Sequence, residues 1–128
     1  MTMPRALRSV GRVVNPAIVP IARRIRPLAV VDHVGRRSGA HYATPVMGFP
    51  AEDGWVVALP YGADVQWLRN TERAGGATVT QAGTRHPVEA VRRLPARDGA
   101  PLLPRWARPV MRTVGVRDYA LITAGRAE

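Results

Sequence analysis

The amino-acid sequence predicts a mainly β domain of the α+β class, with antiparallel strands and short flanking helices. Short apolar segments rich in valine alternate with turns that contain glycine or proline, which is typical of strands. Helical spacing of apolar residues is confined to a few short segments. The chain has 128 residues, enough for one domain with a substantial core and too few for two.

The strands are predicted from apolar segments that end at turn residues. The first three segments follow one another closely, and Asp53-Gly54 between the second and the third is a typical hairpin turn. Three strands joined in this way form an antiparallel meander. The predicted strands cover residues 28–34, 42–49, 55–61, 77–81, 84–94 and 119–123.

Two helices are predicted within the β domain. One covers residues 65–74, with Asp64 as its N-cap and Gly75 after its last turn. The other covers residues 105–113. Between the last of the long strands and this second helix, residues 95–104 are rich in proline, glycine and alanine.

Residues 1–27 are predicted to form a separate basic, amphipathic helical segment. Apolar residues recur at helical spacing, and Pro16 and Pro20 should kink or divide the helix. The segment could contact an anionic membrane surface, or it could pack on the β domain with its arginines in water. Residues 28–124 would then form the β domain, and residues 125–128 a tail.

The charge of the chain favours anionic ligands. The formal net charge is +10, and every one of the 19 strongly basic residues is arginine. Such a positive field attracts nucleic acid, acidic lipid and phosphorylated cofactors alike. Aromatic residues make up 5% of the chain and are not interleaved with basic strand residues, so we expect no nucleic-acid binding.

Other classes of protein are disfavoured by composition. There is no cysteine, which excludes disulfides and thiolate ligands, and the histidines and carboxylates lack the spacing of a metal site. No apolar run is long enough to cross a bilayer, and no signal peptide is evident, so a cytoplasmic location is expected.

The most informative stretch lies between the first two predicted strands. Gly35 and Gly39 enclose the sequence Arg36-Arg37-Ser38. Glycines suit a tight turn, and a turn of this kind exposes backbone N–H groups beside two guanidinium groups and a hydroxyl. These groups could bind a phosphate or a carboxylate, or they could simply decorate a hairpin in an arginine-rich protein.

Two sequence blocks together indicate a family. The first is Gly-Arg-Arg-Ser-Gly at residues 35–39 followed by Ala-Thr-Pro-Val at residues 43–46, and the second is residues 61–70, which end in the pattern W-x-x-N. In this order and separation the blocks resemble the deazaflavin (F420)-dependent nitroreductase family. The resemblance implies a split β-barrel of the FMN-binding-like type and a reductase that uses coenzyme F420.

The resemblance also implies site residues and a reaction. A hydride would pass from the reduced coenzyme to a small electrophilic acceptor such as a quinone, a nitroaromatic or an enone. Tyr61 is a candidate for substrate positioning or proton donation. Ala43 departs from the family pattern, because many members carry a basic residue there. The implied cofactor-binding residues are Arg36, Arg37, Ser38, Gly39, Thr44, Pro45, Trp67 and Asn70.

Alternatives to the reductase remain open at this stage. FMN could replace F420, or the same fold could serve as a non-catalytic carrier of flavin, haem or a fatty acid. A basic module for nucleic acid or anionic lipid is a further alternative, supported mainly by the net charge. The sequence does not distinguish a monomer from a homodimer.

Overall fold

A computed structural model describes residues 18–127 of the chain. Six strands close into an antiparallel barrel in the order β1-β2-β3-β6-β5-β4. The predicted mainly β, α+β architecture with short flanking helices is therefore confirmed. The strands are β1 (Leu28–Val34), β2 (His41–Ala51), β3 (Gly54–Ala58), β4 (Thr78–Gln81), β5 (Thr84–Pro95) and β6 (Asp118–Ala124).

Among residues 18–127, four short helices accompany the barrel, together with a 3-10 turn over Ala100–Leu102. The prediction for residues 1–17 lies outside the described residues, and the rest of the predicted N-terminal segment contains α1 and the turn that follows it. The helices are α1 (Ile18–Ala22), α2 (Gln66–Ala74), α3 (Ala96–Gly99) and α4 (Ala107–Val114).

The first three strands form the predicted meander, but the glycine in its second turn has a different role. The turn consists of Glu52 and Asp53, and Gly54 is already the first residue of β3. A Cβ at Gly54 would collide with the backbone carbonyl of Ile122 on β6. Glycine is therefore required here because two strands approach closely, and not because the turn needs a positive φ.

The apolar cluster inside the barrel includes side chains of α2. Strand residues such as Val31, Val57 and Val79 meet Trp67 and Leu68 of α2 in one buried cluster. Burying large apolar side chains of this kind contributes about 1.5–3 kcal/mol each. The helix is thus held in place by the core of the barrel, and its other face is available to the β1–β2 hairpin.

A second apolar cluster lies outside the sheet, beneath the segment rich in proline, glycine and alanine. This segment forms α3 and the 3-10 turn, and Gly99 packs so closely on Tyr119 that a Cβ would reach 2.6 Å from the ring. Leu103 and Met111 complete the cluster over β3 and β6. The segment is helical because tertiary packing outweighs its unfavourable composition.

The beginning of α2 also differs from the prediction. Its N-cap is Val65, which makes no capping hydrogen bond through its side chain. Asp64 instead pairs with Arg69 at 3.0 Å. The carboxylate therefore binds a guanidinium on the next turn of the helix, which competes with capping of the backbone N–H groups. The helix ends at Gly75, as predicted.

Within the part of the chain that the structure describes, no helix has the length and apolar character needed to cross a membrane.

Candidate functional site

The hairpin between β1 and β2 is closed by its own backbone. Gly35 N–H donates to Ala40 O at 2.8 Å, Gly39 N–H donates to Gly35 O at 3.0 Å, and the Ser38 hydroxyl accepts from Ala40 N–H at 3.1 Å. Gly39 has a φ of 72°, which a side chain would disfavour. No described group accepts a hydrogen bond from the N–H groups of Arg37 or Ser38, so both can donate to a ligand.

Arg36 joins this hairpin to α2. Its Nη1 donates to Gln66 Oε1 at 2.7 Å and to Asn70 Oδ1 at 2.8 Å, and its backbone N–H donates to the same Asn70 oxygen at 3.1 Å. Hydrogen bonds from a charged donor are shorter and stronger than neutral ones. Arg36 therefore fixes the hairpin against the helix, while the exposed Arg37 makes no hydrogen bond or ion pair with the described residues.

The hydrogen bonds continue from Asn70 into the mouth of the barrel. Because Arg36 occupies the Asn70 oxygen, the amide nitrogen faces His33 and donates to Nδ1 at 2.9 Å. His33 is therefore the Nε2–H tautomer, and Nε2 donates to Thr44 Oγ1 at 2.9 Å. The histidine ring also stacks on Tyr42, with ring centroids 5.5 Å apart.

His33 is neutral in this position. Burial lowers its pKa from 6.5 to about 4, although the negative charge of Asp32 acts in the opposite direction. Only a neutral ring can accept from Asn70 while donating to Thr44, so the lowered pKa and the hydrogen bonds agree.

Positive charges crowd around the hairpin and the adjacent face of α2. Desolvation, followed by the charges of Arg69, Arg37 and Arg73, lowers the pKa of Arg36, and the negative charge of Asp64 acts in the opposite direction. Arg69 and Arg73 are four residues apart on α2 and lie on the same side of the helix. These four arginines are called the arginine cluster below. A bound anion would reduce the repulsion between their positive charges.

An open cleft of about 450 Å³ lies beside the hairpin. Val34 and His41, which flank the hairpin, form part of its wall together with His33 and Tyr42. A volume of this size suits a small organic ligand. The remaining lining residues are Arg23, Asp32, Gly76, Thr78, Thr80 and Arg85.

The residues implied by the family resemblance fall into two groups. The first group, Arg36, Arg37, Ser38 and Gly39, lies in the hairpin, and Asn70 is bonded directly to it. The second group is less accessible: Thr44 is buried against His33, Pro45 is partly buried in β2, and Trp67 is buried in the core. Tyr61 is exposed in the connection between β3 and α2.

Position 43 lies on the outer side of the barrel. Ala43 packs against the apolar cluster of Val19, Ala22 and Val30, and its partner across the strand pair is Asp32. Arg23 donates to that carboxylate at 3.0 Å. A guanidinium from the segment after α1 therefore lies next to the position at which many members of the family carry a basic residue.

Several residues of this site were not identified from the sequence. Gln66, Arg69 and Arg73 share one face of α2 with Asn70, and a helical projection beyond the W-x-x-N pattern would have revealed that spacing. Arg23 carries no such signal, because its position depends on the packing of α1 against β1. Among the described residues, no group of histidine and carboxylate side chains is arranged to hold a metal ion.

Comparison with known proteins supports the fold. No protein-family model and no curated protein matches this chain. The F420-H2 dependent reductase FDR-A aligns with a TM-score of 0.51 and 19% identity, over 76% of this chain and 94% of that one. HupZ of Group A Streptococcus aligns with a TM-score of 0.56 and 17% identity, over 91% of this chain and 98% of that one.

A further solved structure, described as a domain-swapped dimer, aligns with a TM-score of 0.51 and 15% identity over 77% of this chain and 80% of its own. At these identities the likeness concerns the fold. The chain has the split β-barrel fold that the two sequence blocks predicted, and this fold is shared with an F420-H2 dependent reductase.

Proposed function

We propose that this protein is an F420-dependent oxidoreductase that transfers a hydride from the reduced deazaflavin to a small electrophilic acceptor. Quinones, nitroaromatics and enones are the acceptor classes we favour. The fold is shared with a reductase of that cofactor class. The two sequence blocks of the resemblance meet in space, because Arg36 of the first block binds Asn70 of the second.

The observation that carries the proposal is the arginine cluster next to unused backbone donors. The positive charges of Arg37, Arg69 and Arg73 act on Arg36, and the carboxylate of Asp64 offsets part of this positive charge. The backbone N–H groups of Arg37 and Ser38 can donate to a ligand. A phosphate with an acidic tail would neutralise these charges and accept from these amides. The residues present therefore fit a cofactor with an anionic end.

The individual roles follow from accessibility. Arg37, with the hairpin amides, would contact the phosphate directly, while Arg36 would add its charge from a position already fixed by Gln66 and Asn70. Ser38 and Gly39 hold the shape of the hairpin. When bound, the coenzyme supplies the hydride, and the chain supplies orientation and electrostatic stabilisation.

The remaining predicted residues would act nearer to the ring of the coenzyme. Thr44 and Trp67 are buried, so we propose that they shape the site, with Pro45 next to Thr44 in the strand. Tyr61 is exposed, and its phenol could position the acceptor or donate a proton to it. The histidine and asparagine that link Thr44 to the hairpin would hold this wall rigid.

A titration of purified protein with F420, followed by coenzyme fluorescence, tests the proposal. We expect saturable binding that Arg37→Gln weakens by about tenfold to a hundredfold, the range for one lost hydrogen bond to a charged group. Arg97→Gln is the matched control, because Arg97 is an exposed arginine on α3. The control should bind as the wild-type protein does.

The proposal fails if F420 does not bind at tens of micromolar, or if both substitutions weaken binding equally. A parallel titration with FMN distinguishes a flavin protein from a deazaflavin protein. Turnover of a quinone or a nitroaromatic by the loaded protein then tests the catalytic part. We also propose a cytoplasmic location, which fractionation of cells can check.

A further inference from the structure

The helix α4 carries an apolar stripe that the barrel does not cover. Trp106, Val110 and Val114 recur every four residues and are 58%, 44% and 61% exposed. Leu102, in the turn before the helix, is exposed as well. These four residues are called the α4 patch. Large exposed apolar side chains grouped in this way usually mark an interaction surface.

The helix is held on the barrel by a different face. Ala107 and Met111 are fully buried in the outer apolar cluster, and the ring of Trp106 meets Phe49 edge-on with the centroids 5.8 Å apart. Trp106 therefore also contacts the barrel, whereas Leu102, Val110 and Val114 lie outside this cluster and are not needed to fix the helix there. Because α4 already has its own packing face, its exposed stripe is presented to the surroundings in a fixed orientation.

The segment that carries the α4 patch is basic and lies between Asp98 and Asp118. Residues 99–117 contain four arginines and no aspartate or glutamate. Arg108 and Arg112 are four residues apart and form a second stripe on the helix, and Arg105 lies in the turn just before it. Arg108 is fixed in place because its guanidinium donates to the carbonyls of Leu103 and Pro101.

We infer that the α4 patch binds the surface of a membrane that contains anionic lipid. A helix with tryptophan and aliphatic residues on one stripe and arginines on another is typical of helices that lie in the lipid headgroup region. Tryptophan is preferred at that boundary, and each arginine near an anionic leaflet strengthens binding.

Charge complementarity distinguishes this partner from a second copy of the chain. The net charge of +10 would oppose a symmetric contact between two copies of the chain through the α4 patch. An anionic lipid surface would instead neutralise the arginines while it accepts the apolar side chains. The inference is independent of the proposed reductase function.

Sedimentation of the full chain with vesicles tests the inference. We expect binding to phosphatidylglycerol vesicles, much weaker binding to phosphatidylcholine vesicles, and release by salt. Binding to lipid should shift the tryptophan emission to the blue. That shift would report on Trp106, because Trp55 and Trp67 are already buried.

Two pairs of variants locate the surface. Val110→Asn should weaken vesicle binding about tenfold through lost apolar burial, and Arg112→Gln about fivefold through lost charge. Ile25→Asn and Arg92→Gln are the controls, because both residues are exposed on other parts of the molecule. The controls should bind phosphatidylglycerol vesicles as the wild-type protein does.

Three results would overturn the inference. The first is an absence of binding to phosphatidylglycerol vesicles. The second is a loss of binding in Ile25→Asn with full binding in Val110→Asn, which would assign the contact to the N-terminal region. The third is a dimer in analytical ultracentrifugation that Val110→Asn dissociates, which would make a second copy the partner of the α4 patch.

Discussion

At the scale of single residues, His33 determines how the candidate site is organised. It accepts from Asn70 and donates to Thr44, so one neutral ring connects the hairpin and α2 to the inside of the barrel. The sequence placed this histidine at the end of a strand but could not assign its partners, because Asn70 is 37 residues away along the chain. The arginine-containing hairpin itself was recognisable, since its glycines and arginines are consecutive.

The neutral state of His33 predicts a loss of stability in acid. Its folded pKa is about 4 and its unfolded pKa about 6.5, so the unfolded chain binds more protons between these values. Stability should fall as the pH is lowered from 6.5 and level off below 4, by an amount on the order of 3 kcal/mol. Urea unfolding between pH 4 and 7 measures this difference.

The matched variants are His33→Gln and His41→Gln. The first removes the buried titrating group and should flatten the pH dependence, even though it lowers stability at neutral pH. The second replaces an exposed histidine in β2 and should follow the wild-type curve. Equal slopes in all three proteins would show that the His33 ring is not buried in its neutral form.

At the scale of elements, tertiary contacts decide what local composition leaves open. The first three strands and α2 were predictable from apolar periodicity and turn residues. The helix α3 was not, because its sequence contains the unfavourable residue Gly99, whose lack of a side chain allows Tyr119 to pack against it. In the same way, Asp53-Gly54 has the composition of a hairpin turn, but position 54 must be glycine because β6 approaches it closely.

Alanine substitutions at two strand glycines, Gly54 and Gly48, should differ in how much they lower stability. Gly54→Ala places a methyl group against the backbone of Ile122, which cannot move without breaking the β3–β6 pairing, so we expect a loss of about 1–3 kcal/mol or more. At Gly48 the nearest atom to a Cβ is Trp55 Cδ1 at 3.5 Å, an ordinary contact.

Gly48→Ala is therefore the control, and urea denaturation at constant pH measures both variants. We expect the control to lose less than about 1 kcal/mol, the usual limit for a substitution that the surroundings accept. If both variants were equally stable, the close approach of β3 and β6 at Gly54 would be incorrect.

At the scale of the whole molecule, the net charge was predictable from the sequence, and the closure of the barrel was less so. The net charge of +10 was visible in the sequence and suggested an anionic ligand without naming one. The structure adds the place where charges converge, next to the hairpin and α2. Barrel closure through β1 and β4 was implied only by the family resemblance, since no short turn connects those strands.

The arginine cluster predicts that a multivalent anion stabilises the fold. Pyrophosphate at ten times its dissociation constant should add about 1.4 kcal/mol to the free energy of unfolding, which would raise the melting temperature by several degrees. Thermal unfolding measures the effect, with sodium chloride at the same ionic strength as the reference. Arg37→Gln should lose most of the gain, and Arg97→Gln should keep it.

If sodium chloride raised the melting temperature as much as pyrophosphate does, the effect would be general screening of the net charge. The measurement does not depend on the coenzyme, so it tests the anion site separately from the proposed reaction.

The position of β6 constrains how the chain can fold during synthesis. This strand lies between β3 and β5 in the barrel, although it follows both along the chain. Until residue 124 has been translated and has left the ribosome, β3 and β5 each lack a neighbour and expose unpaired backbone edges. The nascent chain must therefore pass through a period in which its strands can pair incorrectly. Chaperones that shield strand edges would act on the chain at that stage.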